Sequence, residues 1–359
     1  MTIANAPKEL PEHAEFRKEI AAWLRANTPA NPGFLLPQTF MEVGSDQVLD
    51  FLREWQFKVW SAGYLGMAWP KQYGGQGAAP IYQSIVDQEM KRLRVPICFN
   101  VIGLGWAGPL ILDIGSDMEK EKYLKGILNA DDIWAQGFSE PNHGSDLGSI
   151  QTRAERDGDD YVINGSKIWT TMGNYAKYMI LLARTDPQAE RRYNGLSFFL
   201  APMKTAGITT QPIKKLTGEY GFTETFFTDA RIPADCLMGE EGQGWRIAMQ
   251  TLQYERGAEA GAAGGLMMVR VTIDDMIESI SDVRRDGEPV LQDPVIRDQL
   301  VKMIMEEKAL ALGDKRAHIA PLTTDYPHSL PLSHKLRGTE MARRMRQFAI
   351  NLQGAAGGL

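Results

Sequence analysis

Cysteine is nearly absent. The 359 residues include two, Cys98 and Cys236, far apart and outside any Cys-x-x-Cys or Cys/His cluster. That scarcity leaves no disulfide framework and no structural zinc, and it fits a reducing compartment. Positive charge is not in excess either. Lys and Arg number 39 against 45 Asp and Glu, a formal net charge of −6 without a basic patch, which removes nucleic acid as the main partner. No run is apolar enough to span a bilayer. The first fifteen residues are polar and acidic, unlike a secretory signal or an Arg/Ser-rich transit peptide. The expectation is a cytoplasmic protein with no membrane partner and no metal. Apolar residues, at 43% of the chain, are plentiful enough for a large core and two or three domains.

The texture changes twice along the chain. Residues 1–130 read helical: Phe16, Ile20, Trp23 and Leu24 share a face, and Leu49, Leu52, Trp55, Val59 and Trp60 repeat the spacing behind a Ser45-Asp46 cap. Residues 131–240 read as strands. Tyr161–Ile163, Tyr178–Leu182, Leu196–Leu200 and Glu224–Phe227 are short and rich in β-formers, and Asp157-Gly158-Asp159, Asn164-Gly165 and Asp186-Pro187 look like turns between them. With no room for helical crossovers, an antiparallel sheet or barrel is expected. Residues 241–359 return to helices: one from Gly244 towards Val283, one opening at Asp293-Pro294, and one over Ser333–Leu352. Short links between long helices suggest an antiparallel bundle. The expected class is thus α+β multidomain: helical domain, β-barrel, helical bundle.

One motif misleads. Gly103-Leu104-Gly105-Trp106-Ala107-Gly108 matches the dinucleotide pattern G-x-G-x-x-G, but its surroundings are helical, Pro109 follows at once, and no βαβ series continues from it. A tight helix-to-helix connection is the better reading.

The chemistry gathers at the helix-to-strand boundary. Gly137-Phe138-Ser139-Glu140-Pro141-Asn142-His143-Gly144-Ser145-Asp146 is a turn whose amides and small hydroxyls can bind an anionic or carbonyl-rich ligand. About 20 residues on, Lys167-Ile168-Trp169-Thr170-Thr171 could return a strand to the same place. A flavin needs a flat apolar surface and hydrogen-bond donors at the edge of its ring. Trp169 offers the surface; Thr171 and Ser139 offer donors. Taken singly, an aromatic and two threonines on a strand are equally ordinary core, and spacing alone leaves both readings open.

Together, the G-F-S-E-P-x-x-G-S-D and N-G-S-K-I-W-T-T segments resemble the two signature segments of the acyl-CoA dehydrogenase family. Trp69-Pro70-Lys71-Gln72-Tyr73-Gly74-Gly75 and Gly239-Glu240-Glu241-Gly242-Gln243-Gly244-Trp245 resemble that family at matching places. The likeness runs through nearly the whole chain in the right order. It implies a helical domain, a β-barrel and a C-terminal four-helix bundle, with FAD as cofactor, an acyl-CoA as substrate, and an electron-transfer flavoprotein as electron acceptor. Residue by residue, it implies that Gln136, Phe138, Ser139, Trp169 and Thr171 bind the flavin and that Ser145 meets the pantetheine arm. His143 receives no catalytic role.

Family members place the catalytic Glu either on the first long helix of the C-terminal domain, before an Arg, or in a loop near the carboxyl terminus. Gln253-Tyr254-Glu255-Arg256 matches the first arrangement, as in isovaleryl-CoA-dehydrogenase-like members, which makes Glu255 the base and puts Arg256 on the substrate side. A helix carboxylate paired with Arg256 is the plain alternative. Ala258, Ala260, Gly261, Ala262 and Ala263 would leave room for a bulky acyl group, and close helix packing explains them equally well.

Two stretches depart from the family. Its Arg-x-x-Phe, which reaches a neighbour's flavin pyrophosphate, is replaced by Val283-Arg284-Arg285-Asp286-Gly287, and its Gln-x-x-Gly-Gly-x-Gly reads Asn351-Leu352-Gln353-Gly354-Ala355-Ala356-Gly357. Contacts to the chain's own flavin are kept while those given to a neighbour are altered. The expected assembly is a homo-oligomer, a tetramer by preference, or a hetero-oligomer with a paralogue. A flavin oxidase or monooxygenase of the same fold is the second enzymatic reading, and a non-catalytic subunit a third.

Overall fold

The protein is described from a computed structural model, which covers residues 9–37, 39–255, 272–317, 319, 322 and 329–358. The chain divides into two units, Met1–Val269 and Arg270–Leu359. None of the described helices is long and apolar enough to cross a membrane.

The first unit opens with helices α1 (Pro11–Asn27), α2 (Asp46–Ser61), α3 (Pro80–Arg92), α4 (Gly108–Ile114) and α5 (Asp117–Leu128). Their starts follow local chemistry. Ser45 accepts from the Val48 amide at the head of α2. Ser116 and Glu119 form a reciprocal capping box on α5, satisfying amides that the first turn leaves bare. The stripes read from sequence are the buried ones: Ile20 and Leu24 on α1, and Leu49, Leu52, Trp55 and Val59 on α2. The G-x-G-x-x-G stretch is no nucleotide loop. Ile102–Ala107 is a fully buried π-helical turn running straight into α4.

A seven-stranded sheet follows: β1 (Trp134–Gly137), β2 (Arg153–Asp157), β3 (Asp160–Thr171), β4 (Tyr178–Arg184), β5 (Leu196–Pro202), β6 (Ile208–Ile213) and β7 (Phe222–Pro233), then helix α6 (Gly244–Glu255). The order is β1-β4-β2-β3-β7-β6, with β5 on β4. Pairing is antiparallel except that β1 runs beside β4 in parallel and β2 meets β4 in parallel at one residue pair. Its central strands are buried on both faces. Ile180 and Leu182 of β4 and Phe198 and Leu200 of β5 join the helical core, while Met179, Leu181, Ala183, Phe199 and Ala201 fill the opposite face with Tyr161, Ile163 and Phe227. Double burial explains why β4 reads as an unbroken apolar run and β5 as one interrupted only by Ser197, whose buried hydroxyl is hydrogen-bonded with Thr185 Oγ1 and accepts from Gly242 N.

Asn164-Gly165 does not end a strand, as its sequence suggested. It lies inside β3, where β7 carries one extra residue, and the Asn164 and Asp229 side chains close that irregularity: Asn164 Nδ2 donates to Asp229 Oδ1 at 3.0 Å, and the Asp229 amide to Asn164 Oδ1 at 2.9 Å. Gly165 has φ +141°, and a Cβ there would sit 2.7 Å from Thr152 Cα.

The second unit holds α7 (Ile273–Ser279), a two-residue hairpin of β8 (Arg284–Arg285) and β9 (Glu288–Pro289), α8 (Pro294–Ala317) and α9 (Ser329–Leu352). Thr272 and Asp275 form a capping box on α7, and Asp293 Oδ1 accepts from Val295 N at 2.8 Å at the head of α8. Ile273, Met276, Ile280, Leu300, Leu310, Met341 and Met345 make its core.

Gly165→Ala should combine a left-handed backbone cost with a backbone clash, lowering stability by about 2–4 kcal/mol. Denaturant unfolding checks this; a loss below about 0.5 kcal/mol would show that the irregularity relaxes freely.

Candidate active site

β3 and the turn after β1 build the site together. Between Lys167↔Thr225 and Thr170↔Thr223, β3 carries one residue more than β7, so Ile168 and Trp169 bulge from the ladder. Alternation through Tyr161, Ile163 and Lys167 would bury Trp169. Instead the bulge gives it φ +60°, which a non-glycine residue rarely adopts, and leaves the indole 56% exposed. Its recorded ring contact is edge-on to Phe222, centroids 5.9 Å apart at 88°. Thr171 returns to the ladder opposite Phe222 and is buried.

The freed Ile168 amide donates to Ser139 O at 2.9 Å, seating the Phe138–Glu140 turn on the bulge. Beneath it lies a buried ion pair. Lys167 Nζ, fully buried, donates to Glu140 Oε1 at 2.8 Å and to Phe138 O at 3.1 Å. The Glu140 carboxylate also accepts from the Gln151 and Thr152 amides at 2.6 and 2.8 Å. Burial pulls the Lys167 ammonium down to about 8, against the opposing charge of Glu140. Burial pushes the Glu140 carboxyl upward, but the Lys167 charge and hydrogen bonds from Lys167 and the two amides outweigh it, holding the group below its ordinary value.

The structure thus brings Phe138, Ser139, Trp169 and Thr171 together. Phe138 is buried edge-on to Phe198, centroids 5.9 Å apart. Gln136 lies on β1, opposite Ile180, and its buried Oε1 has no partner among the described residues. Ser145 is exposed in the following loop. Next to it, Asp146 pairs with Arg192 at 3.1 Å, and Arg192 donates to Ser149 Oγ at 2.8 Å. Tyr193, beside Arg192 in the β4–β5 connection, packs on Trp245 of α6 with centroids 4.4 Å apart, so the Ser145 loop is linked to that helix through this connection.

Glu255 is the last described residue of α6, and it is partly buried. Arg256 and the small residues 257–265 lie outside the described residues. α6 packs against β4 and β5 and against the π-helical turn, which also packs on β1. Gly244 sits so close to the Ser197 backbone that a Cβ would lie 2.5 Å from it. Along its other side, Asp113, Trp245, Arg246, Met249, Gln250 and Gln253 line a groove of about 490 Å³. Gln250 Nε2 and Tyr254 OH both donate to Asp113 Oδ2, the latter at 3.2 Å.

The Lys167–Glu140 pair and the Arg192–Tyr193–Trp245 chain had no part in the sequence reading. Alternation did carry the first signal, because Lys167 shares its parity with Tyr161 and Ile163. The second depends on tertiary contact and leaves no local trace.

A flavin fits these residues on structural grounds. A large apolar ring stands exposed on a strained bulge, with hydroxyls nearby, and β1, a strand in contact with β3, carries a buried amide oxygen with no partner among the described residues. Comparison with known proteins agrees. The acyl-CoA dehydrogenase N-terminal, middle and C-terminal domain models match residues 11–131, 135–230 and 242–359. The acyl-CoA dehydrogenase IpdE1 of Mycolicibacterium smegmatis is 31% identical over 96% of this chain and 87% of its own length. Human mitochondrial short-chain specific acyl-CoA dehydrogenase is 30% identical over 84% of this chain and 73% of its own. A solved structure named "Tcur3481-Tcur3483 steroid ACAD" superposes with TM-score 0.78 at 31% identity, covering 98% of this chain and 87% of that one. The ChsE4-ChsE5 complex from Mycobacterium tuberculosis gives TM-score 0.77 at 25% identity, over 99% and 87%. The fold, the strained flavin-type bulge and these matches lead to one conclusion: the chain belongs to the acyl-CoA dehydrogenase family, an oxidoreductase with FAD as its cofactor.

Proposed function

We propose that the chain converts an acyl-CoA thioester to the 2-enoyl-CoA, with Glu255 taking the α-proton. FAD, when bound, supplies the acceptor for the β-hydrogen as hydride. The observation that carries this reading is the exposed Trp169 on its left-handed bulge, bonded through Ile168 to the Ser139 turn, on the sheet against which α6 packs. Gln136, Phe138, Ser139, Trp169 and Thr171 hold the cofactor. Trp169 offers the indole face, while Ser139 and Thr171 offer short donors.

A carboxylate is a weak base for a C–H acid. Glu255 works only where water is excluded and donors stabilise the charge developing on the thioester oxygen. Its partly buried place at the end of α6 suits that need. Ser145 takes the pantetheine arm, and Arg256 stands on the substrate side. The groove of Trp245, Arg246, Met249, Gln250 and Gln253 suits the rest of a long, partly anionic CoA chain, with Arg246 available to phosphate. A bulky, ring-bearing acyl group is the substrate favoured by likeness to the "steroid ACAD", and an electron-transfer flavoprotein is the electron acceptor. Three domains, 1–130, 131–240 and 241–359, are supported by family matches close to those bounds.

The altered Arg-x-x-Phe region supports a hetero-oligomer with a related chain over the homotetramer. Val283–Gly287 leads through a hairpin turn, with Asp286 at φ +52° and Gly287 at φ +85°, and both arginines are exposed. A phenylalanine at the family's position is missing, and two of the similar structures carry paired names.

Glu255→Gln keeps shape and removes basicity. It should retain fold and flavin content while slowing anaerobic flavin reduction by acyl-CoA about 10²–10⁴-fold. Reduction at the wild-type rate would move the base elsewhere. Native mass measurement with a flavin-to-subunit ratio tests the assembly: fewer flavins than chains, with a related chain present, is expected. A homotetramer with one flavin per chain would overturn that arrangement.

A further inference from the structure

The ion pair beneath the Trp169 bulge uses a buried lysine that the reaction itself does not need. We propose that Lys167 is a positioning residue for the flavin: by holding the Phe138 carbonyl, it turns the Ser139 amide outward as a donor to the cofactor's ring edge. This rests on the flavin site proposed above.

The argument is geometric. In a trans peptide, the carbonyl of one residue and the N–H of the next point in opposite directions; no cis peptide is present among the described residues. Lys167 Nζ lies 3.1 Å from Phe138 O, inside the protein. The Ser139 N–H on the same peptide therefore points away from that interior. No described group accepts from it, whereas Ser139 O is taken by Ile168 N at 2.9 Å. Both carbonyls flanking Ser139 are thus tied to β3, one through a side chain and one through the bulge. The donor left over, on a partly exposed residue directly bonded to the bulge, is the one we assign to the ligand.

Charge compensation alone does not explain this arrangement. Glu140 already accepts two amides, from Gln151 and Thr152. A neutral, hydrogen-bonded residue at 140 with an apolar one at 167 would avoid burying two charges, an exchange that is often neutral or stabilising. What such an exchange removes is the donor to Phe138 O, so flavin geometry and stability can be separated by mutation.

The experiment uses full-length protein stripped of FAD and titrated with FAD, with thermal unfolding alongside. Lys167→Met leaves the Glu140 carboxylate buried without its cation and should lower Tm. Lys167→Met/Glu140→Gln removes both charges, keeps an acceptor for the amides, and should regain most of that loss. Its Kd for FAD should stay raised about tenfold, with the flavin absorption band shifted. Wild-type affinity and spectrum in the paired variant, with Tm restored, would overturn the proposal. If these variants do not fold, the wild-type protein decides. On FAD binding, amide exchange at Ser139 should slow more than at Ile168, whose N–H is already bonded, and an equal change at both would overturn the proposal. Trp169→Ala reports on the site itself. Unchanged FAD affinity and spectrum in that variant would mean that the flavin does not lie on this bulge, and the flavin-site reading would fail whatever the Lys167 variants show.

Discussion

The site depends on one extra residue in β3. Without it, alternation would turn Trp169 inward with Lys167, and the Ile168 amide would stay in the ladder. With it, the amide reaches Ser139 O, the indole turns outward, and the chain before β2 is stitched to the strand after it. A non-glycine residue at positive φ costs on the order of 1–3 kcal/mol, so the surroundings must over-determine it. The ion pair and the Ile168 bond do so from beneath, and the Thr170↔Thr223 and Thr171↔Phe222 pairs resume the register immediately afterwards. The strain is held where the proposed flavin site calls for a flat side chain.

That arrangement bears on what was legible in the sequence. Helical periodicity gave α1 and α2 with their buried faces, and the Ser45 and Asp293 caps, because those signals are local. The apolar runs of β4 and β5 were legible for a different reason: both faces of those strands are buried, so nearly every central position selects for apolar residues, Ser197 excepted. β2 (Arg153–Asp157) was missed because it is largely exposed and charged at four of its five positions, and β6 (Ile208–Ile213) because it has no buried position and a proline and three polar residues break its apolar pattern. Asn164-Gly165 looked like a turn because its composition suits one. The same freedom at positive φ serves an irregularity within a strand, and only the register distinguishes the two.

The site was legible as residue types but not as geometry. Ser139, Trp169 and Thr171 were named because a flavin needs a flat surface and short donors. That Trp169 must leave the strand's alternation to serve was invisible, since a bulge adds no residue type of its own. Lys167 shows the opposite failure. Its parity marked it as buried, yet a lysine at a buried position is rare enough that parity alone did not carry the reading. Its partner Glu140 lies 27 residues earlier in a turn, and pairs at that separation are settled by tertiary closure, not by pattern.

The π-helical turn Ile102–Ala107 shows how the helical half contributes to a site built mostly on strands. The G-x-G-x-x-G match, set aside from the sequence as a tight helix-to-helix connection, owes Gly103 and Gly108 to close packing. A Cβ on Gly108 would fall 2.3 Å from the Trp69 ring, and one on Gly103 within 3 Å of the Asn100 amide. Asn100 in turn accepts from Trp134 N at 3.1 Å and donates to Asp132 O at 2.9 Å, so it ties the head of β1 to the helices. The same turn packs against α6. Gln136 and Glu255, on different elements and 119 positions apart in sequence, are therefore referred to one buried segment. In a rigid, close-packed interior a shift of that segment moves both, whereas a shift of an exposed loop moves neither. The proposed base and the proposed cofactor ligand, which would have to keep their spacing through each turnover, are better placed against such a segment than on the loops that join the strands.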